Sequence, residues 1–168
     1  MIGSSESARQ RDVQEWQNGP YTISTARARL DVDLIHGFLT RDFWDSQGIP
    51  RDVVDRSIEH SLCFGVYEGE QQVGFARAVT DRATFAFISD DFVVASHRGR
   101  GLATWLMQCI LAHPDLQGLR RIMLVTRDPR LYAKSGFTPL EKPGEYMELR
   151  QPDLRSTSAR EPRGKSPT

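Results

Sequence analysis

The sequence predicts an α+β domain built around one sheet, with elements in the order βααβββαβαββ. Three observations carry this expectation. Two strand-like runs, Leu62 to Tyr67 and Gln72 to Thr80, flank Glu68-Gly69-Glu70-Gln71, which is a hairpin signal. A third run, Thr84 to Ala95, ends in Val93-Val94 and feeds a glycine-rich loop that opens directly into an amphipathic helix. The chain has 168 residues, 39% hydrophobic and 26% charged, the size and composition of one domain with its own core.

Along the chain, Tyr21 to Thr25 reads as a first strand because β-branched and aromatic residues alternate with polar ones. Leu34, Ile35, Phe38 and Leu39 recur at helical spacing after Asp31, a candidate N-cap. Pro50 opens a second helix with Val53, Val54 and Ile58 on one face. After the three central strands comes a helix from about Gly101 to Ala112, ended by Pro114. Ile122 to Val125 reads as a buried strand. A short helix carries Leu131 and Tyr132 and stops at Gly136. Phe137 to Leu140 and Tyr146 to Leu149 are expected as two last strands. Residues 1–19 read as a polar N-terminal arm, 20–150 as the domain, and 151–168 as a disordered tail too poor in apolar residues to pack.

Twenty-two basic and 22 acidic residues leave no net charge, so no bulk field draws the chain to nucleic acid or anionic lipid. No apolar run approaches the ~18 residues of a membrane span, and the first residues lack the apolar core of a signal peptide. Cys63 and Cys109 stand far apart in apolar surroundings, which suits two buried, reduced thiols rather than a disulfide or a zinc site. A cytoplasmic protein without a metal is the expectation.

The stretch that carries chemistry is Asp91 to Ala103. A helix N-terminus leaves backbone N–H groups unpaired, and the helix dipole adds partial positive charge there, which together suit a phosphate. Gly99 and Gly101 let an anion approach the backbone, and Arg98 and Arg100 place two guanidinium groups nearby. A Walker loop is absent. The dinucleotide fingerprint fails because Thr104 stands where its third glycine belongs, and the flanking elements are not expected to form a βαβ unit.

The spacing Arg98-x-x-Gly101-x-Ala103 after a strand resembles the acetyl-CoA loop of the GNAT superfamily of N-acetyltransferases, and Tyr132-x-x-x-Gly136-Phe137 resembles that family's late segment. The two motifs stand in the family's order, and the resemblance covers roughly Tyr21 to Arg150. It implies a three-layer GNAT fold whose single mixed, mostly antiparallel sheet is splayed at a cofactor wedge. It implies that acetyl-CoA, as co-substrate, lays its pyrophosphate on the amides of Arg98, Gly99, Arg100, Gly101, Leu102, Ala103 and Thr104. Its pantetheine arm pairs with the backbone of Phe92, Val93 and Val94. A bulge in that strand opens the wedge, and an N–H near Val93 or Val94 polarises the thioester carbonyl.

On the resemblance, Tyr132 occupies the position of the acid that protonates the leaving thiolate; a packing role beside the cofactor is the alternative. For the base, Asp90 and Asp91 point to opposite faces of their strand, so one of them faces the wedge, and Asp91 is assigned. Glu59 and His60 are further candidates. The link Thr126 to Arg130 lacks the Asn that many GNAT chains carry there. His36, Phe38, Phe43, Trp44 and Asp45 cluster in the region expected to bind the acceptor, and His36, Phe38 and Trp44 are taken as the substrate-binding set for a cationic amine. The reading is an acetyl-CoA-dependent N-acetyltransferase acting on a small-molecule or peptide amine, with no nucleic-acid or membrane partner and a homodimer left open. The rival is a non-catalytic acyl-CoA sensor or scaffold of the same fold.

Overall fold

Six strands form one sheet in sequence order in the computed structural model, which describes residues 13–41 and 48–150. They are β1 (Glu15–Asn18), β2 (Tyr21–Ser24), β3 (Leu62–Glu68), β4 (Gln71–Thr80), β5 (Phe85–Val93) and β6 (Arg121–Met123). Neighbours from β1 to β5 are antiparallel, and β5 and β6 are parallel. A parallel pair needs a crossover, and α3 (Leu102–Ala112) supplies it. The segment β5–α3–β6 is therefore a βαβ unit, contrary to the expectation from sequence, and the exclusion of a dinucleotide fingerprint rests on Thr104 alone.

The described residues divide into two units, 13–31 with 61–139, and 32–41 with 48–60 and 140–150. The first holds the sheet and α3. Phe64, Val66, Val73, Ala76, Ala78 and Ile88 of the sheet form one buried cluster with Leu102, Leu106, Met107 and Ile110 of α3. Burial of each large side chain contributes about 1.5–3 kcal/mol relative to exposure. Cys63 and Cys109 are buried and free, and desolvation pushes their thiols up to about 12 and about 11. The β4–β5 connection is held by Asp81, whose Oδ1 accepts from the N–H groups of Ala83, Thr84 and Phe85 at 2.8–3.1 Å.

The second unit contains α1 (Val32–Arg41) and α2 (Arg51–Glu59). Ile35 and Leu39, and Val54 and Ile58, are buried at i,i+4 spacing on their helices. Arg51 pairs with Asp33 of α1 and, at 3.0 Å, with Asp55 of its own helix.

Three expectations change. The sheet begins within the stretch read as an arm: Gly19, at φ +58°, and Pro20 turn Glu15–Asn18 back onto Tyr21–Ser24, and Trp16 packs against the core. The boundary at residues 19/20 thus cuts a hairpin. Neither Phe137 to Leu140 nor Tyr146 to Leu149 is a strand. Pro139 and Pro143 remove N–H donors, and Met147 and Leu149 are 99% and 90% exposed. Four-residue apolar runs without a neighbouring strand have no ladder to join. The arm's first 12 residues, residues 42–47 and the tail 151–168 lie outside the described residues.

Candidate active site

The site is built where β5 leaves β6. Pairing runs from Phe85↔Arg121 to Phe87↔Met123 and stops. β5 continues to Val93, so its far half has no strand on that edge. The cause lies in the β4–β5 register, where Phe75 opposes Phe92 but Arg77 opposes Ser89. Ala76 therefore faces two residues, Asp90 and Asp91, which is a β-bulge. Asp90 sits in the left-handed region at φ +57°, which short polar side chains tolerate better than most.

The bulge separates the two aspartates. The Asp90 carboxylate is 5% exposed and is held by Arg77 Nε and, at 3.1 Å, by Ser89 Oγ. Asp91 turns instead to α4 (Pro129–Ala133), where the Tyr132 hydroxyl donates to its Oδ2 at 2.5 Å. Burial raises the Asp91 carboxyl above the ordinary range, and the Tyr132 hydrogen bond opposes that shift. The phenol of Tyr132 is raised above its ordinary value by burial first and by the Asp91 charge second. α4 is aimed by an Asp-Pro start. Asp128 caps the Arg130 N–H at 3.2 Å, Pro129 opens the helix, and Phe137 packs edge-on to Tyr132 at 6.2 Å. Asp128 thus occupies the link in which the family's Asn is missing.

Beyond the bulge, the Val94 N–H donates to Val73 at 2.9 Å, so it is committed to β4. By strand alternation the N–H and C=O of Val93 lie on the opposite edge, toward the gap. Arg98 Nε donates to that carbonyl at 3.0 Å. Phe92 and Val93 are buried and Val94 half-buried.

The loop to α3 is exposed at Arg98, Gly99, Arg100 and Gly101. Gly99 and Gly101 have φ +76° and +77°, and a Cβ at either would meet open space. Gly101 is the N-cap and offers no side chain to the helix, whose first internal bond runs from the Trp105 N–H to the Gly101 carbonyl at 3.0 Å. The N–H groups of Leu102, Ala103 and Thr104 therefore point out of the helix end unpaired, a fit for an anionic diphosphate. The loop is braced from β2 and β3. Arg100 donates to the Tyr21 hydroxyl at 2.7 Å and to the Ser96 carbonyl at 3.2 Å, and His97 Nε2 meets Glu68 Oε2 at 2.9 Å. That contact holds the Glu68 carboxyl below its ordinary range.

The structure thus brings together Asp91, Tyr132, Val93 and the loop Arg98 to Thr104. His36 and Phe38 lie on α1 in the other unit, where His36 Nε2 meets the Ile49 carbonyl at 3.0 Å. Trp44, Phe43 and Asp45 lie outside the described residues. Glu59 ends α2 and His60 follows it, exposed. Arg77, Tyr21, Glu68 and His97 were not marked by sequence as site residues. The available signal for Arg77 was an arginine inside the apolar run Val73 to Val79; for the braces, contacts between distant segments left none. Among the described residues no group of three or more His, Cys, Asp or Glu is arranged to hold a metal ion.

A bulged strand that parts from a parallel neighbour, with free helix amides at one end of the gap and a phenol across it, is the arrangement that the resemblance to the GNAT superfamily implies. The chain belongs to the Acetyltransferase (GNAT) family, whose sequence profile matches residues 11–137. A protein of Gibberella zeae, provisionally named an acetyltransferase, is 34% identical over 137 residues, 68% of this chain and 76% of that one. A crystal structure of a provisionally named GNAT acetyltransferase from Xanthomonas campestris pv. campestris is 48% identical. It covers 82% of this chain and 97% of its own, with a TM-score of 0.77. A predicted acetyltransferase of Clostridium acetobutylicum, solved with acetyl-CoA, shares the fold at 17% identity and TM-score 0.56, over 83% of this chain and 95% of its own.

Proposed function

We propose that this protein transfers the acetyl group of acetyl-CoA directly to an amine of a small molecule or peptide, in the gap between β5 and β6. The observation that carries the reading is the Tyr132–Asp91 hydrogen bond across that gap, beside the free amides of α3. Acetyl-CoA supplies the activated acyl group; the residues supply position and protons. The amides of Leu102, Ala103 and Thr104 hold the diphosphate, with Arg98, Gly99, Arg100 and Gly101 around it. The edge of β5 at Phe92, Val93 and Val94 receives the pantetheine arm. Of the two N–H groups expected to polarise the thioester carbonyl, that of Val93 is the free one, because Val94 already serves β4.

The acceptor nitrogen loses one proton as it attacks, and the departing thiolate gains one. Asp91, made more basic by burial, takes the first. Tyr132 gives the second. The proton on Asp91 then passes along the existing hydrogen bond to the phenolate, so both side chains return to their starting states with no net proton left on the enzyme. No metal enters these steps. His36, Phe38 and Trp44 are proposed to meet the acceptor, on the chemistry of their side chains. The catalytic domain is taken to begin with the β1–β2 hairpin and to run to residue 150, ahead of the tail 151–168, acting in the cytoplasm on a soluble acceptor.

The test is CoA release from acetyl-CoA across amino acids, polyamines, aminoglycosides and peptides. Turnover with at least one amine and none without an acceptor supports the reading. Acetyl-CoA binding with no turnover on any amine would favour the non-catalytic acyl-CoA-binding alternative.

A further inference from the structure

We infer that Arg77 is a positioning residue that decides which of two adjacent aspartates faces Tyr132. Its consequence for catalysis rests on the function proposed above; the geometric link does not.

Asp90 and Asp91 are equivalent in chemistry and adjacent in sequence. In a regular strand they point to opposite faces, and a shift of one residue exchanges them. What fixes the present choice is the bulge, and the bulge depends on Asp90 holding φ +57°. A non-glycine residue is disfavoured there, so the conformation persists only where its surroundings enforce it.

Arg77 does so from β4. Nε takes Asp90 Oδ2, Nη1 donates to Ser61 Oγ at 3.3 Å, and Nη2 donates to Ser89 Oγ at 3.4 Å. Ser89 Oγ in turn donates to Asp90 Oδ1 at 3.1 Å. Every nitrogen of the fork is engaged and both carboxylate oxygens are satisfied, the arrangement that a buried ion pair needs in order to hold one geometry. Without Arg77, a carboxylate that is 5% exposed loses its counter-charge. The strand can then relieve it by giving up the left-handed turn, which rotates Asp91 away from the phenol. The hydrogen bonds of Arg77 go to Asp90, Ser61 and Ser89, not to Asp91 or Tyr132, so its action passes through the backbone of the bulge.

The experiment labels the full-length protein with ¹³Cζ-tyrosine and assigns the Tyr132 signal with Tyr132→Phe. Arg77→Gln, Arg77→Lys and Asp90→Gly are compared with wild type for thermal unfolding, Tyr132 signal, and kcat and KM with an amine found active. Arg77→Gln is expected to move the Tyr132 signal toward that of an unbonded phenol. It should lower kcat about 10- to 100-fold while KM for acetyl-CoA changes less than about threefold, because the loop Arg98 to Thr104 is braced independently. Arg77→Lys should recover part of both, since it keeps the charge and loses the fork. Asp90→Gly adopts φ +57° without strain and needs no tether, so alone it should keep the wild-type signal, and added to Arg77→Gln it should return the signal toward wild type. A folded Arg77→Gln protein with the wild-type Tyr132 signal, or a folded double variant whose signal stays displaced, would overturn the inference whatever its activity; if Arg77→Gln unfolds, a wild-type signal in Arg77→Lys does the same. A moved signal with unchanged kcat would support the link and overturn the catalytic role given to Tyr132.

Discussion

The Tyr132 hydroxyl donates to Asp91 Oδ2 at 2.5 Å, joining side chains 41 positions apart across the gap where β5 departs from β6. One carries the candidate acid and the other the candidate base; the Asp91 charge raises the cost of ionising Tyr132, while the Tyr132 hydrogen bond eases the ionisation of Asp91. A phenol and a carboxylate in this contact hold one proton between them, which suits a site that must both accept and deliver one.

Tyr132→Phe keeps the ring against Phe137 and removes only that proton. Acetyl-CoA binding should persist, and kcat should fall roughly 10²–10⁴-fold, the range for general acid–base catalysis. Steady-state rates with an active amine decide it. A loss within about threefold is under ~1 kcal/mol of barrier and would reduce Tyr132 to a wall of the site.

Thr104→Glu places a carboxylate in the first turn of α3. For the free protein this is neutral to stabilising, by up to ~1 kcal/mol, since a negative charge complements the helix N-terminus. For a bound diphosphate it is repulsive. The melting temperature without ligand should hold or rise, while the shift induced by acetyl-CoA should largely vanish. A wild-type ligand shift in this variant would remove the diphosphate from the α3 N-terminus.

Tyr67 is buried at 1% exposure, lies over Gly65, and its hydroxyl has no hydrogen-bond partner among the described residues. Burial pushes that phenol up to about 12. An unsatisfied buried hydroxyl costs about 1–3 kcal/mol, so Tyr67→Phe should stabilise the fold by about 1 kcal/mol. Gly65→Ala should do the reverse, because its Cβ would lie 2.3 Å from the Tyr67 hydroxyl. Denaturant midpoints compare the two, and a destabilised Tyr67→Phe would mean that the hydroxyl is bonded in solution.

His113 is 5% exposed, and its Nδ1 accepts from the Asp115 N–H at 3.1 Å. Burial lowers its pKa. The unfolded chain therefore takes up the proton first as pH falls. The stabilisation is present above the ordinary value near 6.5 and is lost as pH drops through the lowered folded value. His113→Asn keeps an acceptor for the cap and removes the titration. The stability of the Asn variant relative to wild type should improve between pH 8 and 5; a pH-independent difference would contradict the assignment.

Much of this was legible along the chain. The loop Arg98 to Thr104 could be read because its parts are contiguous: two glycines, a strand before and a helix after are local facts, and free amides follow from them. The three central strands and the three longer helices announce themselves by apolar period. Short segments did not. Glu15–Asn18 became a strand only because Gly19-Pro20 folds it onto β2, whereas Phe137 to Leu140, which contains Pro139, and Tyr146 to Leu149, which follows Pro143, are not strands.

The sequence by itself determined that two aspartates meet a strand end, that a phosphate-ready helix follows, and that a tyrosine waits beyond the next strand. Only the tertiary structure decided which aspartate meets the tyrosine. That choice depends on the β4–β5 register, on Arg77 standing opposite Ser89, and on a bulge that leaves Ala76 facing two residues. Strand register is set by contacts between segments distant along the chain, and no local pattern of side chains encodes it.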